Sequence, residues 1–206
     1  MLVVCLEGPH GVGKSSLLKQ FSALGFPTLD EAFLDLPDSI LHPQTLTMEL
    51  EWLSKWFQRL LKKKSDPKGH YPVYIADRSP FSAELYAHNG KLLSPVLRSM
   101  VEEMEQEAGI KIVTIHLKVS PSVLWSRIQT RLVTEPSRTL YNEHRYSWMM
   151  TVLEFYNTSS WTYVVSNNAD LQNCLEDVVS TLNKNEQGFS ELPIEARRNC
   201  VSSISS

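Results

Sequence analysis

The sequence is poor in cysteine, carries almost no net charge and contains no long hydrophobic run. Its 3 cysteines, Cys5, Cys174 and Cys200, are an odd number without the spacing of metal ligands, which favours a reducing intracellular compartment. A formal net charge of -3 provides no basic field, so we expect a small-molecule substrate and no nucleic-acid partner. The apolar opening is interrupted at Glu7, and no run of membrane-spanning length follows. We therefore expect a cytoplasmic protein, an organelle not being excluded, with no membrane partner.

The composition is that of a protein with one compact core. Hydrophobic residues make up 42% of the chain and charged residues 21%, which is a globular balance. A length of 206 residues is large for one ordinary domain and small for two. Apolar periodicity fades after Asn185. We predict one folded domain over residues 1–185 and a mobile C-terminal tail over residues 186–206.

Short apolar runs alternate with longer helical patterns along the chain. This alternation predicts an α/β fold with a five-stranded parallel sheet and helices on both of its faces. The predicted strands are Leu2–Leu6, Pro27–Leu29, Val73–Ala76, Ile112–Leu117 and Tyr163–Val165. The predicted helices include Lys14–Ala23, a long helix with a buried face from Leu46 to Leu60, Pro121–Arg131 with Ser120 as N-cap, and Leu140–Tyr156.

The most specific motif is a phosphate-binding loop between the first predicted strand and the first predicted helix. The segment Gly8-Pro9-His10-Gly11-Val12-Gly13-Lys14-Ser15 satisfies the pattern G-x-x-x-x-G-K-[ST]. Its glycines let backbone N–H groups turn toward a β-phosphate, and the helix start adds a partial positive charge. We expect this loop and Ser16 to bind ATP, with Lys14 reaching the β- and γ-phosphates and Ser15 binding Mg²⁺. A glycine-rich turn without a ligand is the alternative, but it would leave a buried lysine without an anion.

An acid and an arginine follow the third predicted strand. The apolar run Val73–Ala76 leads into Asp77, which places this carboxylate at a Walker-B position beside the phosphate loop. There Asp77 can hold Mg²⁺, or it can cap the helix predicted to begin near Pro80. Arg78 can stabilise charge on the transferred phosphoryl group from the substrate side, or it can pair with Asp77 or another acid.

These motifs occur in a recognisable order. They are Leu6-Glu7-Gly8-Pro9 with the phosphate loop, then Asp77-Arg78-Ser79, then Arg127 and Arg131. In this order they resemble the deoxyribonucleoside kinase and thymidylate kinase group of P-loop kinases, over roughly residues 2–165. The resemblance implies a P-loop NTPase fold with an arginine lid. It also implies ATP-dependent transfer of a γ-phosphoryl group to the 5′-hydroxyl of a (deoxy)ribonucleoside, and it leaves a homodimer open.

The motifs match the patterns of two kinase classes that phosphorylate different acceptors. Nucleoside kinases typically carry Glu-Arg-Ser after the third strand, whereas thymidylate kinases carry Asp-Arg followed by an aromatic residue or histidine. In this chain Ser79 matches the first pattern and Asp77 the second. His10 stands where thymidylate kinases carry an acid, which favours a nucleoside acceptor, although a solvent-facing loop histidine is an equal alternative. A nucleoside monophosphate acceptor of the thymidylate kinase type is the alternative function.

A candidate base follows the second predicted strand. The resemblance implies that Glu31 accepts the proton of the sugar hydroxyl, since nucleoside kinases carry a glutamate here. The family pattern is Glu-Pro, and Ala32 replaces the proline, so Asp30 stays a competitor. A solvated loop acid is the structural alternative for Glu31.

The long second helix resembles the base-binding helix of the family. The resemblance implies that Trp52 stacks on the acceptor base and that Gln44 reads its edge. Aromatic residues at helical spacing are otherwise ordinary core residues. Tyr141 is a further candidate for binding the acceptor sugar.

A lid is expected around the predicted helix Pro121–Arg131. Arg127 and Arg131 stand four residues apart and so share one helix face, immediately before an irregular segment. The resemblance implies that both close over the triphosphate and that Arg131 assists transfer. Solvated helix arginines are the alternative.

Two other classes share a phosphate loop. A regulatory GTPase would carry D-x-x-G after the third strand, but Asp66-Pro67-Lys68-Gly69 precedes it, and Asn183-Lys184-Asn185-Glu186 lacks the final aspartate of a guanine reader. A non-catalytic nucleotide-binding module would lack a lid and an acceptor-side base, and this sequence has candidates for both.

Overall fold

The computed structural model describes residues 1–31, 40–42, 44–66, 71–168 and 170–190. The strands are β1 (Leu2–Glu7), β2 (Thr28–Leu29), β3 (Val73–Asp77), β4 (Lys111–Lys118) and β5 (Tyr163–Ser166). The helices are α1 (Lys14–Ala23), α2 (Leu46–Ser65), α3 (Ala83–Tyr86), α4 (Ser94–Gln106), α5 (Pro121–Thr134), α6 (Tyr146–Thr158), α7 (Leu171–Asn185) and α8 (Gln187–Ser190). Short 3₁₀ turns lie at Pro80–Ser82, Gly90–Leu93 and Pro136–Tyr141.

The strands form one five-stranded parallel sheet in the order β2-β3-β1-β4-β5. The central strand β1 places Leu6 beside Asp77 of β3 and beside Ile115 of β4. Parallel strands end at the same edge of a sheet, so the segments after β1, β2 and β3 meet there. The predicted α/β P-loop fold is confirmed.

The core has a layer on each face of the sheet. On one face Val4 and Leu6 of β1 pack in a cluster with residues of α1, α5, α6 and α7. On the other face Val3 and Cys5 pack with residues of α2 and α4. All six residues of β1 are buried, as expected for a parallel sheet that helices cover on both sides.

Two helix boundaries near the predicted lid were wrong. The helix α5 continues through Thr134 and ends before Pro136, since proline removes a backbone donor and restricts the residue before it. The helix α6 begins at Tyr146, not at Leu140, because Asn142 adopts a left-handed backbone (φ 60°) that interrupts a helix. Ser120 occupies the N-cap position of α5, but its side chain makes no capping hydrogen bond.

The packed chain extends past the domain boundary predicted at Asn185. The buried Glu186 accepts hydrogen bonds from Lys111 Nζ at 2.8 Å and Tyr163 Oη at 2.7 Å. Phe189 of α8 is buried and stacks on Phe26. Residues 191–206 of the predicted tail, which include Cys200, lie outside the described residues, as does Ala32. In the described part of the chain, no helix combines the length and apolarity needed to cross a membrane.

Candidate active site

A cavity of about 710 Å³ lies where the ends of β2 and β3 meet the phosphate loop. This volume is in the usual range for a small-molecule site. The cavity brings together many of the residues singled out in the sequence: His10, Ser15, Asp30, Glu31, Gln44, Trp52, Asp77, Arg78 and Tyr141. The other predicted site residues are not among its described wall residues: Gly8, Pro9, Gly11, Val12, Gly13, Lys14, Ser16, Arg127 and Arg131.

The phosphate loop connects β1 to α1 through glycines in left-handed backbone conformations. Gly11 has φ 80° and Gly13 has φ 107°, which residues with a side chain rarely adopt. A Cβ atom on Gly11 would also lie 3.1 Å from Cγ1 of Ile128 on α5. The loop therefore needs glycine for its backbone path and for its close packing.

Lys14 is folded back into the loop. Its Nζ donates to the carbonyl oxygens of Gly8 at 2.8 Å and Pro9 at 3.1 Å, and only 6% of the residue is exposed. Burial, followed by the positive charge of Arg78, lowers the pKa of Lys14 to about 8. A bound phosphate would supply the anion that this buried ammonium group lacks. Ser16, in the first turn of α1, is exposed.

Ser15 and Asp77 meet at the carboxyl edge of the sheet. The Ser15 hydroxyl donates to Oδ2 of Asp77 at 2.7 Å. The other oxygen, Oδ1, is buried and has no hydrogen-bond partner among the described residues. Mg²⁺ prefers hard oxygen ligands and completes its shell with phosphate and water, so this pair fits a Mg²⁺ site. The alternative capping role for Asp77 was wrong, because Ser79 caps the turn at Pro80–Ser82 by accepting from Phe81 N.

Arg78 is buried and points at the candidate base. Its Nε lies 2.7 Å from Oε1 of Glu31, although the N–H direction makes this an ion pair and not an aligned hydrogen bond. Its Nη1 donates to the hydroxyls of Tyr86 and Tyr156, each at 3.1 Å. Arg78 therefore does pair with an acid, and that acid is Glu31.

Asp30 and Glu31 face different partners. Asp30 Oδ1 accepts from Nη2 of Arg59 at 2.8 Å, and its side chain is 77% exposed. The Glu31 carboxylate pairs with Arg78, and its backbone carbonyl accepts from Nε1 of Trp52 at 2.8 Å. This geometry favours Glu31 over Asp30 as the acceptor-side base.

Trp52 lines the cavity, and a hydrogen bond from its indole N–H fixes the ring. It is 4% exposed, packs in the α2 core and uses its indole N–H to hold the Glu31 carbonyl. Gln44, just before α2, lines the same cavity. Whether these two residues contact an acceptor base, and whether Tyr141 contacts its sugar, stays a prediction.

The lid candidates are held by acids and by the phosphate loop. Nη1 of Arg127 donates to the carbonyls of Val12 at 3.3 Å and Asn167 at 3.1 Å. Arg127 therefore links α5 to the phosphate loop by a hydrogen bond. Nε of Arg131 donates to Glu135 at 3.0 Å. Hydrogen bonds from Arg131 and then Arg138 lower the pKa of Glu135 to about 2. Closure over a triphosphate would require Arg131 to leave Glu135, and its catalytic role stays a prediction.

Sequence reasoning did not assign Arg138, which lines the cavity. Its Nη1 donates to Oε1 of the buried Glu143 at 3.0 Å, and the same oxygen lies 3.2 Å from Nδ1 of His10. His10 therefore faces the site and not solvent alone. Burial and the charges of Arg78 and Lys14 hold the pKa of His10 well below its usual range, so the imidazole is neutral near pH 7.

Sequence reasoning also missed Glu49, a buried acid on α2 that lines the cavity and is 2% exposed. Burial, followed by the nearby negative charge of Glu31, raises the pKa of Glu49 to about 8, against a smaller lowering by Arg78. The available sequence signal was an acid among the apolar residues of the second helix. This signal could not be interpreted without the position of Glu31, which only the folded structure gives.

We expect Glu49→Gln to make the fold progressively more stable than the wild type as pH rises from about 4.5 to about 8. The unfolded glutamate releases its proton near the lower value and the folded one near the upper. The wild-type free energy of unfolding should therefore fall between them, by about 1.4 kcal/mol per pH unit at most. Urea unfolding at both ends of the interval measures the difference. Glu51→Gln, on the same helix, is the control, and parallel wild-type and Glu49→Gln profiles would contradict the expectation.

Comparison with known proteins complements this geometry. Residues 4–147 match a family model described as AAA domain. The structure of deoxyadenosine kinase from M. mycoides with bound dATP covers 88% of this chain and 99% of its own, with 20% identity and a TM-score of 0.56. The YorR protein from Bacillus subtilis in complex with phosphorylated GDP covers 90% and 99%, with 18% identity and a TM-score of 0.56. No curated protein matches the chain. At these identities the solved structures show a shared fold.

Proposed function

The chain belongs to the AAA domain family, which bears out its resemblance to P-loop kinases, and from this premise we propose that it is an ATP-dependent nucleoside kinase. It would transfer the γ-phosphoryl group of ATP to the 5′-hydroxyl of a (deoxy)ribonucleoside. The observation that carries the proposal is the Glu31–Arg78 ion pair at 2.7 Å, in a cavity that also contains Ser15 and Asp77.

Each residue has a distinct task in the proposed reaction. Glu31 accepts the proton of the acceptor hydroxyl while the oxygen of that hydroxyl forms a bond to the γ-phosphorus of ATP. The bond between the γ-phosphorus and the oxygen that bridges it to the β-phosphorus breaks, and ADP leaves. Arg78 orients Glu31 and faces the developing phosphoryl charge. Lys14 binds the β- and γ-phosphates, and Arg131 is assigned to the closed lid. Ser15 and Asp77 would hold Mg²⁺, which neutralises phosphate charge when bound.

The charges in the cavity favour a nucleoside over a nucleoside monophosphate. A monophosphate acceptor needs cationic groups free to bind it. Three of the basic residues that line the cavity are engaged or uncharged: Arg78 is paired with Glu31, Arg138 is shared by Glu135 and Glu143, and His10 is neutral near pH 7. Lys19, which is exposed, is the other basic residue among the described wall residues. An additional phosphate would also lie close to the Glu31 carboxylate, at an electrostatic cost.

A coupled ADP-release screen over nucleosides and nucleoside monophosphates tests the proposal. We expect ADP release with at least one nucleoside, and a phosphorylated nucleoside in the product mixture. ADP release with monophosphates alone would favour the thymidylate kinase alternative. ATP binding without transfer to any acceptor would return the chain to the class of non-catalytic nucleotide-binding modules.

We also expect turnover to require Mg²⁺, because Ser15 and Asp77 offer hard oxygen ligands. Excess chelator should abolish turnover, and added Mg²⁺ should restore it. Asp77→Asn should shift the Mg²⁺ dependence to higher concentration, whereas Asp30→Asn, outside the Ser15–Asp77 pair, is the control for loss of a carboxylate. Full turnover in excess chelator would contradict the metal assignment.

A further inference from the structure

Glu7 is a completely buried acid to which the proposed reaction gives no task. It is the last residue of β1, immediately before the phosphate loop, and its exposure is 0%. Burying a carboxyl group without hydrogen bonds is costly. A buried Glu7 carboxyl group therefore needs several hydrogen-bond donors, and the positions of these donors show which part of the fold Glu7 holds in place.

The donors to Glu7 surround the turn that carries Arg78. Oε1 accepts from the backbone N–H and the hydroxyl of Ser79, both at 2.6 Å, and from the Ser82 hydroxyl at 3.1 Å. Oε2 shares that single Ser82 proton at 2.9 Å and accepts from the Tyr156 hydroxyl at 3.1 Å. The first residue after Arg78 is therefore bound to Glu7 through both main chain and side chain.

Arg78 has a backbone conformation that needs such support. Its φ of 69° is in the left-handed region, which costs a residue with a side chain about 1 kcal/mol or more. The Arg78 N–H donates to the carbonyl of Leu6 at 3.0 Å, and the following N–H donates to Glu7. Two consecutive residues of β1 thus fix the backbone on both sides of the arginine.

A second connection runs through Tyr156 to the guanidinium group. A tyrosine hydroxyl has a single proton, and Tyr156 donates it to Oε2 of Glu7. Its oxygen is then an acceptor, and Nη1 of Arg78 donates to it at 3.1 Å. Because Glu7 takes the phenol proton of Tyr156, the phenol oxygen stays free to accept the hydrogen bond from Arg78.

We propose that Glu7 is a positioning residue for Arg78, holding both its strained backbone and its guanidinium group toward Glu31. Glu7 is completely buried and is not among the described residues that line the cavity. It fixes Arg78 in the orientation that forms the ion pair with Glu31. The kinetic test of this role rests on the proposed function.

Glu7→Gln tests the proposal with almost unchanged shape. The amide oxygen can still accept from Ser79, but the amide nitrogen is a donor that faces Tyr156 and would turn the phenol proton toward Arg78. We expect kcat to fall by roughly 10- to 10²-fold, the scale for a small misplacement in a site, with KM for ATP unchanged. Combined with Arg78→Ala, the Glu7 change should cause little further loss.

Glu186→Gln is the matched control. It also removes a buried carboxyl group that accepts from a tyrosine hydroxyl, but outside the candidate site. This variant should lower the unfolding temperature and leave kcat unchanged. If Glu7→Gln behaves in the same way, or if its loss of kcat is as large in the Arg78→Ala background, Glu7 only supports the fold and the proposal is wrong.

A spectroscopic measurement separates this proposal from the proposed function. The ¹⁵N NMR signals of the Arg78 guanidinium, assigned by their loss in Arg78→Ala, should shift in Glu7→Gln and not in Glu186→Gln. This readout needs no substrate, so it decides the positioning role even if no nucleoside is phosphorylated. If Glu7→Gln does not fold, Tyr156→Phe removes the bridging hydroxyl alone, and unchanged Arg78 signals and kcat in that variant would overturn the proposal.

Discussion

Lys14→Ala is expected to reduce phosphoryl transfer by at least roughly 10²-fold, the scale for losing one preorganised charge at a transferring group. Lys14 is the cation of the phosphate loop, and its Nζ lies 2.8 Å from the Gly8 carbonyl, within the segment that would surround the β-phosphate. Steady-state turnover with saturating ATP measures the loss. A variant with more than half of the wild-type turnover would show that the phosphate loop is misassigned.

Lys14→Met separates this loss from any damage to the fold. Burial lowers the pKa of Lys14 to about 8, so below that pH the folded state carries a buried charge at a cost in free energy. The unfolded lysine keeps its proton to about pH 10.5, so the wild type should become more stable between these values as the folded state no longer carries the charge. Methionine keeps the apolar stem, and we expect an unfolding temperature no lower than that of the wild type at pH 7. A strongly destabilised Lys14→Met variant would mean that the lysine is mainly structural.

Glu31→Gln is expected to lower turnover by roughly 10²- to 10⁴-fold, the usual scale for a general base. Glutamine keeps the shape of the side chain but cannot accept the hydroxyl proton, and it also loses the ion pair with Arg78. Turnover under saturating ATP and nucleoside measures the effect. Nucleoside binding should weaken much less than turnover, because the proton moves only in the chemical step.

Asp30→Asn is the matched control for Glu31→Gln. It removes the neighbouring carboxylate, which pairs with Arg59 and is 77% exposed, so we expect a small loss of turnover. Consecutive side chains in an extended segment point in opposite directions, so one of the two acids can face Arg78. If Asp30→Asn is the crippling change and Glu31→Gln is mild, the acceptor-site assignment is shifted by one residue and is wrong.

The phosphate loop and the parallel fold could be predicted because their signals are local. Gly8–Ser15 is contiguous, and its glycines, its lysine and the helix that follows are all needed at fixed spacing. The strands are short apolar runs separated by helical periodicity. By contrast, the start of α6 was predicted too early, because periodicity alone does not show the left-handed conformation of Asn142.

The sequence by itself determined the family, the sheet and the loop that would hold the phosphates, since each depends on neighbours along the chain. Tertiary structure decided which acid faces the arginine, because Glu31 and Arg78 come from different strand ends and meet only when β2 pairs with β3. It also supplied the hydrogen-bond donors around Glu7 and the burial that raises the pKa of Glu49. A buried acid appears in the sequence as an exception to an apolar pattern, and only the folded chain supplies the partners that surround it.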